Sequence, residues 1–228
     1  MITPDTKDWT WVLERACPDC GFDTPEVDAE RVADLVRANA AAWVALLAER
    51  PEAALRSRPV PEVWSDLEYA CHVRDVFRLF RVRLGLMLDE QDPLFANWDQ
   101  DETAVAERYG EQDPARVSAE LAEAAEELAA AFDRVEGGQW QRPGRRSDGA
   151  RFTVASFARY LIHDPVHHLY DVTEGRPHDL TGPPLSRSAG RSPATPQPNR
   201  PVRRGARPEG RAGPPRRART RRPARCGR

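Results

Sequence analysis

The stretch FTVASFARYLIHDPVHHLYDV, residues 152–172, decides the fold prediction for this chain. Its apolar residues recur three and four positions apart, which predicts an amphipathic helix from Thr153 to about 174, ended by Gly175. Pro165 lies inside the pattern and removes a backbone N–H, which normally breaks a helix. Because the pattern continues past it, we expect one kinked helix. The apolar positions are Val154, Phe157, Leu161, Val166, Leu169 and Val172.

Three further helices are predicted upstream, over roughly 25–49, 65–89 and 113–136. Ser65 and Glu68 have the spacing of a capping box at the start of the second. The segments between the helices have little strand character, so the fold class is all-α, a four-helix bundle. The connection 90–112 is longer than most bundle loops. It either carries functional residues or only links two parallel helices as a crossover.

The net charge of −2 averages two unlike parts of the chain. Residues 186–228 hold 14 of the 34 basic and one of the 36 acidic residues, a charge of +13, which leaves −15 for residues 1–185. We therefore divide the chain into a bundle domain, 1–180, and a basic tail, 181–228. The tail is predicted to be disordered because it has almost no large apolar residue. It either tethers the chain to nucleic acid non-specifically or is a by-product of a GC-rich reading frame.

Several classes of protein are excluded or disfavoured by composition. No run of 18 apolar residues occurs, so no membrane span is expected, and the acidic N-terminus does not resemble a signal peptide. A cytoplasmic location follows as the default. Cys17 and Cys20 form a C-x-x-C, but Cys71 and Cys226 do not supply a second pair at zinc-site spacing. We expect Cys17 and Cys20 to be two reduced thiols in a turn, with a surface redox pair as the alternative.

Three histidines crowd the motif HDPVHH at residues 163–168. His163 and His167 are four apart, so on a helix they share one face at a spacing that lets two imidazoles hold one metal ion. His168 points about 100° away and is not expected to join them. His72 is the other histidine of the predicted bundle, and Asp171 is placed to orient the His167 ring. The alternative is that these are ordinary hydrogen-bonded or surface histidines.

Three segments together resemble the DinB family: VWSDLEYACHVRDV (63–76), DPLFANWDQD (92–101) and GARFTVASFARYLIHDPVHHLYDV (149–172). The family shares a superfamily with mycothiol-dependent maleylpyruvate isomerases and related thiol S-transferases, and the resemblance covers roughly residues 9–175. It implies a four-helix bundle with a metal bound by three histidines. Carried onto this chain, the ligands are His72 on the second helix and His163 and His167 on the fourth.

Such a site suggests a metal-dependent enzyme acting on a small molecule. Zinc, nickel or iron with three imidazole ligands would lower the pKa of a bound water or low-molecular-weight thiol. The resemblance favours thiol transfer, with hydrolysis as the alternative. Asp75 and Asp164 are candidate general bases. Trp98 in the long loop either lies near the site or serves as a hydrophobic plug over the bundle.

The sequence also leaves open a non-catalytic role and a role in nucleic-acid binding. The chain is either this enzyme or a non-catalytic metal-binding bundle that acts through partners, and a homodimer is compatible with its size. Nucleic-acid binding is expected only non-specifically, through the basic tail, since the bundle carries −15.

Overall fold

The computed structural model describes residue 2 and residues 8–173. Six α-helices and one short hairpin are present in that part of the chain. Four of the helices are long and build the bundle. They are α1 (Val32–Glu49), α3 (Asp66–Asp89), α5 (Pro114–Phe132) and α6 (Val154–Thr173), with the short helices α2 (Glu52–Leu55) and α4 (Gln100–Ala106) between them.

The all-α bundle is therefore confirmed, and α5 and α6 each pack against both α1 and α3. Apolar side chains from all four helices form one core. Their burial supplies most of the stabilisation, since helices of this length are marginal alone. Among the most deeply buried side chains are Trp43, Leu67, Phe77, Leu84, Leu121, Leu128, Phe157 and Leu161.

Helix α3 begins where the sequence predicts. The Ser65 hydroxyl accepts from the Glu68 backbone N–H at 3.3 Å, and Glu68 Oε2 accepts from the Ser65 N–H at 2.8 Å. Arg58 also donates to the Glu68 carboxylate, with Nε 2.9 Å from Oε2. This reciprocal cap fixes the start of α3, and His72 follows the cap by about two turns.

The first predicted helix starts later than its sequence pattern suggests. Pro25 lies in a separate 3₁₀ turn, Thr24–Glu26, and a second 3₁₀ turn, Ala29–Arg31, precedes α1. The Asp28 side chain caps that second turn by accepting from the Glu30 N–H at 3.1 Å. Proline is favoured at the start of any helical turn, so its position alone did not separate the two cases.

Helix α6 runs unbroken through Pro165 to Thr173, and the predicted stop at Gly175 lies outside the described residues, as does the tail. Asn39 in α1 and Arg50 directly after its end hold it in place. Asn39 Nδ2 donates to the Pro165 carbonyl at 2.9 Å, and Arg50 Nη2 donates to the Val172 carbonyl at 2.9 Å. These two bonds fix the histidine-bearing part of α6 along its length.

A two-stranded hairpin that the sequence analysis did not predict precedes α6. Strand β1 (Pro143–Arg145) pairs antiparallel with β2 (Arg151–Thr153). A Cβ on Gly144 would lie 2.7 Å from Phe95 Cζ and 2.8 Å from Met87 Cγ, so only glycine fits this contact. The hairpin thereby brings the long connection, through Phe95, against α3.

The long connection between α3 and α5 is confirmed, and it contains α4 and a 3₁₀ turn, Tyr109–Glu111. Within residues 8–173, none of the helices has the length and apolar character needed to cross a membrane.

Candidate functional site

Helix α6 carries its histidines on two adjacent faces. His163 and His167 lie on one face with ring centroids 5.2 Å apart, while Asp164 and His168 lie on the next. Among the described residues, there are two groups of side chains that could bind a metal. Within each group, the ligand atoms all lie within 4.8 Å of one another. The first, here called the cysteine–histidine cluster, is Cys17, Cys20, His163 and His167; the second, the carboxylate–histidine cluster, is His72, Asp164 and His168.

In the cysteine–histidine cluster, each cysteine meets one histidine. Cys17 Sγ lies 3.6 Å from His167 Nδ1, and Cys20 Sγ lies 3.8 Å from His163 Nε2. Cys17 and Cys20 are free thiols in a turn. The turn is closed by the Gly21 N–H donating to the Cys17 carbonyl at 2.8 Å, with Gly21 at a φ of 73° that suits glycine.

Burial sets the protonation of this cluster. It lowers the pKa of His163 to about 4, and it lowers the pKa of His167 as well. It raises the pKa of the Cys20 thiol to about 11. At neutral pH both imidazoles are therefore neutral, the form that binds metals, and Cys20 is a thiol until a cation displaces its proton.

The carboxylate–histidine cluster joins α3 to α6. His72 is fully buried, and its Nε2 lies 3.4 Å from Asp164 Oδ1. His168 Nε2 lies 3.8 Å from Asp164 Oδ2, and the His72 and His168 ring centroids are 5.0 Å apart. Burial acts to raise the pKa of Asp164, but the imidazoles of His72 and His168 outweigh it and hold that pKa well below its ordinary value.

Aromatic rings enclose the carboxylate–histidine cluster. Trp98 stacks on His72 with centroids 5.6 Å apart and planes 19° apart, and Trp64 lies 5.2 Å from the same ring. Tyr69 lies 4.9 Å from the ring of His168. The long connection thus places Trp98 against the histidine at the α3–α6 junction, which is one of the two positions that the sequence left open for it.

Asp171 contacts a histidine of each cluster. Its Oδ1 lies 3.7 Å from His167 Nε2, and its Oδ2 lies 3.2 Å from His168 Nδ1. A carboxylate behind an imidazole fixes the orientation and tautomer of the ring and makes the other nitrogen a better ligand. The arrangement leaves His167 Nδ1 facing Cys17 and His168 Nε2 facing Asp164.

A cavity of about 540 Å³ opens beside both clusters. Asp164 and His168 line it, together with His163 and His167 from the first cluster. Its size is in the range of small-molecule sites. Aromatic residues make up much of the remaining wall, namely Trp9, Trp64, Tyr69, Phe80, Phe95, Trp98 and Tyr160.

Two arginines also line the cavity. Arg146 forms an ion pair with Asp148 and donates to the Tyr160 hydroxyl at 2.7 Å. Arg83 is buried, with a relative exposure of 9%. It has no carboxylate partner within residues 8–173. Nη2 of Arg83 donates to the Ala96 carbonyl at 3.1 Å. Its Nε is buried and has no hydrogen-bond partner among residues 8–173. Burial, reinforced by the nearby Arg146 charge, lowers the pKa of Arg83 to about 10.

The structure divides the sequence-predicted ligands between the two clusters. His163 and His167 meet the two cysteines, while His72 meets Asp164 and His168. His168 does point away from the His163–His167 pair, as helical spacing predicts, and this turns it toward His72. Asp164, predicted as a base, lies in the cluster itself with 36% of its side chain exposed.

Asp75 occupies a different environment from Asp164. It accepts from the Tyr109 hydroxyl at 2.6 Å and from Arg74 at 2.9 Å, and it is not among the residues of the cavity wall. Tyr109 is buried, and this burial, together with the hydrogen bond to Asp75, raises its pKa far above the ordinary value. The Asp75 carboxylate therefore holds the long connection to α3 rather than facing the cavity.

The partners of the C-x-x-C pair are histidines, His163 and His167, and not the further cysteines that the spacing of zinc sites suggested. The signal was present: C-x₂-C at 17–20 and H-x₃-H at 163–167 are both zinc-ligand spacings. Nothing in local sequence placed them together, since 143 residues separate Cys20 from His163.

Comparison with known families identifies the class of protein to which this bundle belongs. The chain belongs to the DinB superfamily, whose family model matches residues 34–172. A search among curated proteins finds no significant match.

Two solved structures share the fold. One is YfiT from Bacillus subtilis, described as a probable metal-dependent hydrolase with an unusual four-helix bundle topology. Its TM-score is 0.59 at 18% identity, covering 64% of this chain and 84% of YfiT. The other is a mycothiol-dependent maleylpyruvate isomerase, with a TM-score of 0.55 at 12% identity over 66% of this chain and 62% of the isomerase. At these identities the similarity establishes the fold.

Proposed function

We propose that this protein is a metal-dependent enzyme. A divalent ion is bound by His72, Asp164 and His168 at the wall of the cavity, and a low-molecular-weight thiol is transferred there to a small anionic electrophile. Hydrolysis at the same ion is the second candidate, because water fits the same open coordination positions. The description of YfiT as a probable metal-dependent hydrolase supports that alternative.

One observation carries the proposal. Both ring nitrogens of His72 and Oδ1 of Asp164 are buried and have no hydrogen-bond partner in the described part of the chain. Buried polar atoms left in this state cost about 1–3 kcal/mol each. A cation shared between Nε2 of His72 and Oδ1 of Asp164, which are 3.4 Å apart, would satisfy one atom of each residue.

The donor set fits an open site. Two imidazoles and one carboxylate suit zinc or iron(II) and leave coordination positions for water or substrate. When bound, such an ion lowers the pKa of a coordinated thiol or water.

The remaining groups of the chain have complementary tasks. Asp171 orients the His168 ring through Nδ1, and Trp98 and Trp64 shield His72 from solvent. Arg83 is a buried cation in the same cavity wall and lacks a carboxylate partner, so it favours a substrate that carries an anionic group. In the transfer, a sulfur–carbon bond forms, the leaving group departs with its electron pair, and the thiol proton passes to solvent.

The first test is metal content. Protein purified without an affinity tag is incubated with zinc, nickel or iron and analysed as wild type, His72→Ala and His168→Ala. We expect both variants to lose the same ion. The matched comparison is His163→Ala. If this variant loses the ion that His72→Ala loses, while His168→Ala keeps its full metal content, the ligands are instead the set implied by the family resemblance: His72, His163 and His167.

The second test is turnover. Wild type and His168→Ala are assayed with low-molecular-weight thiols and 1-chloro-2,4-dinitrobenzene for transfer, and with p-nitrophenyl esters for hydrolysis. Metal-dependent conjugation that the variant loses supports the transferase, and metal-dependent ester cleavage supports the hydrolase. An ion bound in full stoichiometry with neither activity would favour a non-catalytic bundle.

Asp164→Asn separates two tasks for that carboxylate. Loss of the ion marks Asp164 as a ligand, which is the result we expect. Retention of the ion with loss of turnover would make Asp164 the general base, and His72 and His168 would then need a different third ligand.

A further inference from the structure

We infer that Cys17, Cys20, His163 and His167 form a second, closed metal site. It binds one zinc ion and fastens the N-terminal segment, residues 8–22, to α6. The site is chemically distinct from the open site proposed at His72, Asp164 and His168, with which it shares no ligand.

The ligand atoms are already spaced for zinc. Zn–S bonds of about 2.3 Å and Zn–N bonds of about 2.0–2.1 Å at tetrahedral angles put sulfur and nitrogen about 3.5 Å apart. The two cysteine–histidine distances are 3.6 Å and 3.8 Å, and all four atoms lie within 4.8 Å of one another. Hydrogen bonding alone does not explain four such atoms converging on one point, because thiol and neutral imidazole bond weakly and in pairs.

The donor set indicates the metal and its purpose. Two thiolates and two imidazoles are a structural zinc set, and four protein ligands leave no position for substrate. Cys17 and His163 are almost fully buried, at 1% and 4% exposure. Trp9 covers the pair of imidazoles, with its ring 5.4 Å from His163 and 5.2 Å from His167.

Asp171 supplies the outer partner expected behind such a ligand. It stands 3.7 Å from Nε2 of His167, the nitrogen opposite the one that faces Cys17. A carboxylate paired with the far nitrogen of a zinc-bound histidine is a recurrent arrangement.

The site has a structural consequence. The 3₁₀ helix Trp9–Leu13 packs against α6, and Trp9 forms part of the cavity wall. Zinc at the cysteine–histidine cluster would hold this wall in place across a sequence separation of about 150 residues. The zinc ion thereby shapes the cavity without touching the substrate.

Cobalt substitution tests the site directly. The full chain is stripped of metal under reducing conditions and titrated with Co²⁺ while absorption is recorded. We expect thiolate-to-cobalt charge transfer in the near ultraviolet and the intense visible bands of tetrahedral cobalt. The charge-transfer bands should be absent from the double variant Cys17→Ser, Cys20→Ser, and unchanged in Cys71→Ala, whose cysteine is buried elsewhere in the core.

The same spectra separate this inference from the proposed function. His72→Ala and His168→Ala should keep the thiolate bands while losing the other ion. Cobalt bound without thiolate bands in the wild-type chain would overturn the cysteine–histidine site and leave the open site intact.

A measurement on wild-type protein guards against a variant that fails to fold. Alkylation by iodoacetamide is followed peptide by peptide with mass spectrometry, in the presence of zinc and after chelation. Cys17 and Cys20 should be protected by zinc at least tenfold over the chelated state. Equal labelling in the two states, or a Cys17–Cys20 disulfide that takes up no zinc after reduction, would contradict the site.

Discussion

At the scale of single residues, Asp171 links the two proposed metal sites. Its two oxygens face His167 and His168, which belong to different clusters. The sequence predicted only the contact with His167, because a four-residue spacing was the cue. The contact with His168, three residues away, shows that one carboxylate on a helix can serve neighbours on both of its adjacent faces.

Asp171→Asn is expected to weaken metal binding at both sites by roughly 10- to 100-fold, because each histidine loses the carboxylate that orients it. Competition with a chromophoric chelator measures the two affinities. Asp89→Asn removes the same charge at the exposed end of α3 and should leave both affinities unchanged. If only one affinity falls, Asp171 serves only one site.

Arg83 gives a second prediction at this scale. A buried guanidinium without a carboxylate partner is costly, so Arg83→Met should raise the melting temperature of the protein in buffers without multivalent anions. Phosphate should raise the melting temperature of wild type and have little effect on the variant. A lower melting temperature for Arg83→Met, with an equal response to phosphate, would show that the arginine serves packing alone.

At the scale of elements, the capped start of α3 sets the position of His72. Glu68 accepts from Arg58 and from the Ser65 backbone, and its side chain is only 8% exposed. Burial acts to raise the pKa of Glu68, but Arg58 and Ser65 outweigh it and lower that pKa below 4.5. The ionised carboxylate is therefore the form that stabilises the fold.

Glu68→Gln keeps the shape of the cap and removes the charge. We expect it to lower the free energy of unfolding by about 1–3 kcal/mol at pH 7. The sign of the pH dependence follows from the lowered pKa: the contribution is present above about pH 4.5 and is lost as the pH falls through the folded-state value. Urea unfolding from pH 7 down to pH 3 should show wild type and variant converging; a constant difference would contradict the assignment.

At the scale of the whole molecule, the bundle and the N-terminal segment differ in what stabilises them. The bundle has a large apolar core, whereas residues 8–22 contribute few of its buried side chains. Metal removal should therefore leave the helical content of the protein nearly unchanged while releasing the N-terminal segment.

Limited proteolysis with trypsin, read by peptide mass, checks this prediction. Cleavage after Arg15, which is exposed on the N-terminal segment, should accelerate after chelation and slow again when zinc is restored. Arg81 is exposed on the rigid helix α3 and serves as the internal control. Equal cleavage after Arg15 with and without zinc would mean that packing alone holds the segment.

Much of the fold followed from the sequence by itself. Apolar periodicity located the four long helices, and the S-x-x-E pattern located the start of α3, because these signals are read within a few residues. The late start of α1 and the β1–β2 hairpin were not predicted, since a proline fits either kind of turn and three-residue strands are too short for a pattern. The charge contrast between body and tail was also plain in the sequence.

The grouping of the ligands was decided by tertiary structure alone. Residue spacing alone predicted that His163 and His167 share one face of α6 and that His168 lies on the next, because helical geometry sets those angles. That spacing did not predict which residues each face contacts. The N-terminal turn folds against one face and brings Cys17 and Cys20 to the histidine pair, while α3 packs beside the other and brings His72 to Asp164 and His168. Contacts between distant segments depend on how the elements pack, and spacing along the chain carries no information about that.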